Sequence, residues 1–192
     1  MEFLPFPKIG RLRRNIVVTE KLDGTNAAIR IVPLPITGPA PGYVAIVDAW
    51  VIYAQSRSRF ITPDDDNYGF AAWVAANAPA LVNLGVGAHF GEWWGQGIQR
   101  KYGLDHKRFS LFNTSRWNAE RPICCDVVPV LYGGIWDQAE IEGCLRRLRE
   151  QGSVAAPGFT KSEGIIVFHP PTNTLFKQTL ERDEEHKGEL AP

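Results

Sequence analysis

Thr19-Glu20-Lys21-Leu22-Asp23-Gly24-Thr25-Asn26 follows the β-prone run Asn15-Ile16-Val17-Val18, and its reading decides how the rest of the chain is understood. It places an amine at a strand end, with a carboxylate two residues on and a glycine turn behind it. That is the layout of a nucleophilic lysine, because an amine attacks phosphorus only through a free lone pair and depends on its surroundings to be unprotonated. Gly24 permits close backbone approach to a nucleotide, and Asp23 is placed to orient the amine, a metal or a ribose hydroxyl. The same residues also fit a plain surface hairpin, since Asp-Gly is a favoured turn dipeptide.

The chain around this stretch is that of an ordinary globular protein. Its 192 residues are enough to bury one good core, so a single domain over 1–192 is expected. With 44% hydrophobic residues and a mean hydropathy of -0.17, no apolar run approaches the roughly 20 residues of a membrane span. The start Met1-Glu2-Phe3-Leu4-Pro5 lacks a signal-peptide pattern, so a cytoplasmic protein with no membrane partner is expected. Three cysteines, two of them adjacent at Cys124 and Cys125, supply neither a disulfide framework nor metal-ligand spacing and read as reduced core residues.

A formal net charge of zero and a pI near 6.9 exclude a protein that coats nucleic acid through bulk charge. A polyanion would have to be met locally, at Lys8, Arg11, Arg13 and Arg14 or at Arg100, Lys101, His106, Lys107 and Arg108. Each cluster reads equally as a solvated polar face. Residues 181–192 read as an exposed acidic tail.

Hydrophobic alternation predicts strands over 15–20 and 25–32 joined by the Asp-Gly turn, and another pair over 43–55. The Pro- and Gly-rich segment Ile36–Pro41 is a loop. Asp64-Asp65-Asp66-Asn67 predicts an acidic cap on a helix from Tyr68 to Ala78, where Phe70, Trp73 and Val74 have helical spacing. Strands are predicted at 86–93, 109–113 and 127–131, then a helix from Asp137 to Gln151 with Ile141, Leu145 and Leu148 as its apolar stripe. A terminal hairpin is predicted from strands at 164–168 and 174–178, hinged by Pro170-Pro171-Thr172-Asn173.

Read with its neighbours, Glu-Lys-Leu-Asp-Gly-Thr-Asn resembles the first signature of the covalent nucleotidyltransferases, and its Thr-Asn ending resembles the ATP-dependent RNA ligase branch. Later segments resemble that family's remaining signatures in order: Ser56-Arg57-Ser58-Arg59, Phe90-Gly91-Glu92-Trp93-Trp94-Gly95, Phe109-Ser110-Leu111-Phe112, Glu163-Gly164-Ile165-Ile166-Val167 and Leu175-Phe176-Lys177. Together they cover most of residues 15 to 180.

The resemblance implies roles. Lys21 would attack the α-phosphorus of ATP and carry AMP, with Lys177 stabilising transition-state charge and favouring the neutral amine. Glu20 would accept from the adenine amino group. Arg57, or its neighbour Arg59, would contact ribose or phosphate, and Glu92 would bind a ribose hydroxyl. Leu22 falls within the nucleotide-binding signature, and Asn26 matches a position used around the reacting ends. Phe112 would stack on the purine, with Phe109 the competing choice and core packing the alternative for either. One of Trp93 and Trp94 would be core and the other free to stack. Glu163 would hold Mg²⁺ or Mn²⁺, a hard cation suited to carboxylate and phosphate oxygens.

The fold implied is α+β, the ATP-grasp-like nucleotidyltransferase domain of ligases, with antiparallel sheets flanked by helices and no OB domain. The function implied is that of an ATP-dependent adenylyltransferase that forms lysyl-AMP and seals 5′-phosphate and 3′-hydroxyl ends, RNA preferred, helped by an accessory protein or an oligomer. Thr179 stands where many relatives have a second lysine, and Asn113 follows Phe112 where an aspartate is common. A capping guanylyltransferase or DNA ligase-like enzyme is the rival within the class. Outside it, the rival is a non-catalytic nucleotide or RNA-end binding module.

Overall fold

The computed structural model describes residues 2–6, 9–117 and 120–181; Lys8 and nearly all of the expected acidic tail lie outside them. In chain order the strands are β1 (Asn15–Lys21), β2 (Thr25–Pro33), β3 (Ala45–Val47), β4 (Trp50–Gln55), β5 (Phe60–Ile61), β6 (Gly87–Gly95), β7 (Lys107–Leu111), β8 (Cys125–Val127), β9 (Val130–Ile135), β10 (Gly164–His169) and β11 (Thr174–Thr179). The α-helices are α1 (Phe70–Leu81) and α2 (Gln138–Gln151). This mixed α+β chain divides into two compact units, Met1–Lys21 with Pro129–Pro192, and Leu22–Val128. No described helix is long and apolar enough to cross a membrane.

The first unit is built on an antiparallel sheet in the order β11-β10-β1-β9. Side chains alternate across a strand, so Ile16 and Val18 share a face with Val167 and Ile165 of β10, which pair with Val18 and Glu20. Helix α2 covers that face with Ile141, Cys144, Leu145 and Leu148. Asp137, the first residue of the helix expected from the sequence, lies just outside it and caps it, its carboxylate accepting from the Ala139 N–H at 2.8 Å. Leu148 is fully buried, and truncating it to alanine would cost about 2–5 kcal/mol. The same alternation sets Glu20 on the covered face and Lys21 on the opposite one. Lys177 pairs with Ile166, which pairs with Thr19, so Lys177 shares the Lys21 face.

The second unit has a sheet in the order β3-β4-β2-β6-β7-β8, with β5 on β4. Helix α1 packs Phe70, Val74 and Leu81 against Ile29, Ile31, Ile52, Trp93, Phe109 and Leu111. The predicted acidic cap is present but acts from outside the helix. The Asp66 carboxylate accepts from the N–H groups of Ala71 and Ala72 at 2.8 and 3.0 Å, satisfying donors that the first turn leaves orphaned. The helix starts later than its sequence suggests because Tyr68 and Gly69 are left-handed, with φ of 54° and 78°.

Three sequence expectations are corrected. Strands β1 and β2 do not pair across the Asp-Gly turn: β1 pairs with β9 and β10, β2 with β4 and β6. The predicted strand over 127–131 is two strands in different sheets, broken at Val128-Pro129; a proline has no N–H for a ladder and restricts the residue before it. The sheets are not wholly antiparallel, since β7 and β8 run parallel.

Candidate active site

In the first unit, strand β1 delivers Lys21 at its last position, opposite Gly164. The Lys21 Nζ lies 2.5 Å from Glu163 Oε2, with side chains only 23% and 16% exposed. Glu163 is anchored through its main chain, its carbonyl accepting from the Leu180 N–H at 2.9 Å. Gly164 is required there: a Cβ would collide with the Gln178 carbonyl and sit 2.7 Å from the Thr179 Cα. Sequence-distant residues are thus brought to one amine. Lys177 is exposed on the same face of the sheet.

Glu20, one residue earlier, is 1% exposed. Its Oε2 accepts from the Val154 and Ala155 N–H groups, both at 2.9 Å. They belong to the turn that leaves α2 at Gly152, whose φ of 84° and close contact with the Phe159 carbonyl admit no side chain. The other oxygen, Oε1, is buried without a hydrogen-bond partner. Burial raises the Glu20 pKa, with the Ser153 hydroxyl and the two amides opposing it. An oriented carboxylate with one vacant acceptor suits a donor such as an exocyclic amine.

The second unit holds a connected polar set. Glu92 Oε1 accepts from the Gly24 N–H at 3.1 Å and Oε2 from Asn26 Nδ2 at 3.0 Å. Asn26 Oδ1 in turn accepts from Arg57 Nε and Nη2 at 3.0 and 2.6 Å. Register explains the first link, because Asn26 and Glu92 are paired on β2 and β6. Gly24 allows the approach: a Cβ would meet the Trp93 carbonyl, the Trp94 Cβ at 2.7 Å and the Glu92 Cγ at 3.0 Å. Arg59, the alternative to Arg57, is instead engaged in a two-pronged pair with Asp65 at 2.6 and 2.9 Å. Leu22 is buried and offers no side-chain surface.

The aromatic choices separate by burial. Phe109 is fully buried against Phe70 and Trp73, whereas Phe112 is 42% exposed just past β7, its N–H donating to the Phe90 carbonyl. Phe112 is therefore not core. The expectation that one tryptophan is free to stack is corrected, because both are buried. Trp93 joins the α1 core, while Trp94 packs edge-on against Tyr102 at 4.8 Å and donates from Nε1 to Ser110 Oγ at 2.9 Å.

Sequence reasoning missed a clamp on the turn. The Asp23 N–H donates to the Tyr102 hydroxyl at 2.7 Å, and Arg100 Nε pairs with Asp23 Oδ2 at 3.0 Å. The loop that carries them holds Gln99, Lys101 and Tyr102 at φ of 42°, 60° and 50°, a left-handed run that non-glycine residues enter only under constraint. Its only sequence trace is the pair Gly97 and Gly103 bracketing a basic segment. That second basic cluster is largely spoken for: Arg108 pairs with Asp126, His106 with Asp105, and Lys107 Nζ donates to the Tyr68 carbonyl.

Among the described residues no three His, Cys, Asp or Glu side chains converge as a metal cage. A cation of the Mg²⁺ type needs no cage when one or two carboxylates and substrate phosphates hold it, and Glu163 is a donor of that kind.

The RNA ligase family model matches residues 14–182. The chain belongs to the RNA ligase family. No curated protein matches it in sequence. Among solved structures it is similar to a Naegleria gruberi RNA ligase mutant with ATP and Mn, at a TM-score of 0.57 and 16% identity, covering 88% of this chain and 50% of that one. It is also similar to an apo mutant of Naegleria gruberi RNA ligase R4a, at a TM-score of 0.55 and 18% identity, again over 88% and 50%. These likenesses show the fold, and the chain spans about half the length of the ligases it resembles. Within the RNA ligase family match fall Lys21, Glu163, Glu92 and Lys177.

Proposed function

We propose that this RNA ligase family member is an ATP-dependent adenylyltransferase that activates and seals polynucleotide ends, RNA preferred. The observation that carries the reading is the Lys21–Glu163 pair, a shielded amine at a strand end with Lys177 on the same sheet face.

Lys21 Nζ, once unprotonated, attacks the α-phosphorus of ATP. A P–N bond forms, the bond to the bridging oxygen breaks, pyrophosphate leaves, and the amine proton passes to solvent or base. The AMP then moves to a terminal 5′-phosphate, and a 3′-hydroxyl displaces it to form a phosphodiester. Each step is an in-line displacement, so positioning and charge neutralisation supply most of the acceleration. Lys177 neutralises charge on the α-phosphate, Glu20 accepts from the adenine amino group, and Arg57 and Glu92 contact phosphate and ribose. Phe112, exposed beyond β7, stacks on the purine. Glu163 would hold Mg²⁺ or Mn²⁺, which supplies additional neutralisation of phosphate charge.

Intact-mass measurement after incubation with Mg²⁺ and either ATP or GTP, beside Lys21→Ala, tests this. The expected result is a gain of one AMP from ATP alone, absent in the variant. A GMP adduct would move the chain to the capping class. No adduct from folded, AMP-free protein would leave a binding module as the better account.

A further inference from the structure

The two basic segments of the chain have different fates. Arg100, Arg108, His106 and Lys107 are held by acidic or carbonyl partners. Arg11 and Arg14 are exposed, and neither guanidinium has a hydrogen bond or ion pair among the described residues. In a protein with no net charge, two unneutralised arginines three positions apart are a local concentration of positive potential.

They also sit on a constructed surface. Arg11, Arg14, Ile9, Gly10, Pro171 and Thr172 line an open pocket of about 450 Å³. Its walls are tied together at several points. His169, 3% exposed, donates from Nε2 to the Leu12 carbonyl at 3.0 Å, since a carbonyl can only accept, and its Nδ1 lies 2.8 Å from the Thr172 hydroxyl. The Arg14 N–H donates to the Leu12 carbonyl and the Arg14 carbonyl accepts from the Trp136 N–H, both at 2.8 Å. Gly10 lies so close to Thr172 that a Cβ would strike its methyl group. The backbone that presents both guanidiniums is therefore fixed by contacts to Trp136, just past β9, and to the turn after β10, and the side chains alone are left to close on a ligand.

We propose that this pocket is a phosphate site for the polynucleotide substrate, with Arg11 and Arg14 contacting the phosphodiester backbone away from the end that reacts. An arginine fork matches phosphate oxygens two at a time and keeps its charge at any working pH, and a pocket bearing two of them with no carboxylate among its described lining residues selects for an anion. The inference rests on the proposed ligase reading for the identity of the anion as nucleic acid. It adds a substrate-holding surface separate from the nucleotide-binding residues.

The test is anisotropy titration of a short 5′-phosphorylated oligoribonucleotide over a series of KCl concentrations, with the full chain, Arg11→Ala/Arg14→Ala, and the charge-matched control Arg146→Ala/Arg149→Ala on the exposed side of α2. Each phosphate contact on a single strand contributes about 0.7 to the slope of log affinity against log salt. The double variant should therefore lose about 1.4 from that slope and bind at least about tenfold more weakly at low salt. Arg11→Ala alone should lose about 0.7, half of that decrease, and the control should match the unaltered protein. Adduct formation from ATP, measured in parallel, should survive in all variants. Unchanged slopes, an equal loss in the control, or no binding by the unaltered protein would each overturn the phosphate site. Loss of ATP adduct in the unaltered protein with the salt effect intact would instead overturn the adenylyltransferase reading.

Discussion

Glu163 in the first unit and Glu92 in the second are both shielded carboxylates, yet they are held in opposite ways. Glu163 faces the Lys21 amine on the sheet face opposite α2, and the two must part if the amine is to react. Glu92 accepts from the Gly24 N–H and the Asn26 amide, and Asn26 is itself held by Arg57. The difference teaches where chemistry and where geometry reside. The Lys21–Glu163 pair can be exchanged for substrate and metal, whereas a connected set of hydrogen bonds running from a carboxylate through an amide to a guanidinium fixes a backbone.

Lys21→Arg presses hardest on that comparison. It keeps a cation opposite Glu163 and removes the transferable amine, so adduct formation should fall below detection in the mass assay while thermal stability changes little. An adduct in this variant would place the chemistry elsewhere. Gly24→Ala attacks the other side: its Cβ has no space against Trp93 and Trp94, and overpacking of this kind costs about 1–3 kcal/mol, read as a lower urea midpoint.

Glu92→Gln is more discriminating. Arg57 occupies Asn26 Oδ1, so Asn26 can only donate toward position 92, and the Gly24 N–H donates there too. An amide has one acceptor atom for these two donors, which should cost about 1–3 kcal/mol; in an Arg57→Ala background, where Asn26 is free to turn over, the penalty should shrink. Additive losses would show that the set is not coupled.

The mildest prediction concerns pH. Burial raises the Glu20 pKa above its ordinary 4.5, so between that value and the raised one the folded protein binds more protons than the unfolded. Stability should then fall as pH rises through this window. Glu20→Gln should flatten that part of the melting temperature profile, and an unchanged profile would show that the carboxyl does not titrate abnormally.

The local half of this structure was legible in the sequence. The β-prone run Asn15-Ile16-Val17-Val18 marks β1, the apolar stripe Ile141, Leu145 and Leu148 marks α2, and the ordered motifs single out Lys21 and Glu163, which the fold brings into contact. What sequence could not supply was partnership at long range. Period-two patterning says which way a side chain points, not which strand lies beside it, so nothing in Lys21 or Thr25 reveals that β1 and β2 enter different sheets. Val128-Pro129 was readable as a break, but the apolar residues on both sides masked it as one strand. Arg57 to Asn26 and Arg100 to Asp23 are links across 31 and 77 positions, closed by the fold alone.

Among the described strands, β11 is the outer edge of its sheet, and it displays Leu175 and Phe176 at 66% and 49% exposure. An uncovered ladder with apolar side chains is a template for unwanted association between molecules, and a lysine in such a strand is a common deterrent. Lys177 thus stands where it deters edge pairing, a task beyond the one proposed for it at the α-phosphate. Neutralising it should make activity depend on protein concentration and storage time, so its kinetic defect is measured faithfully only on freshly isolated, dilute material checked by light scattering.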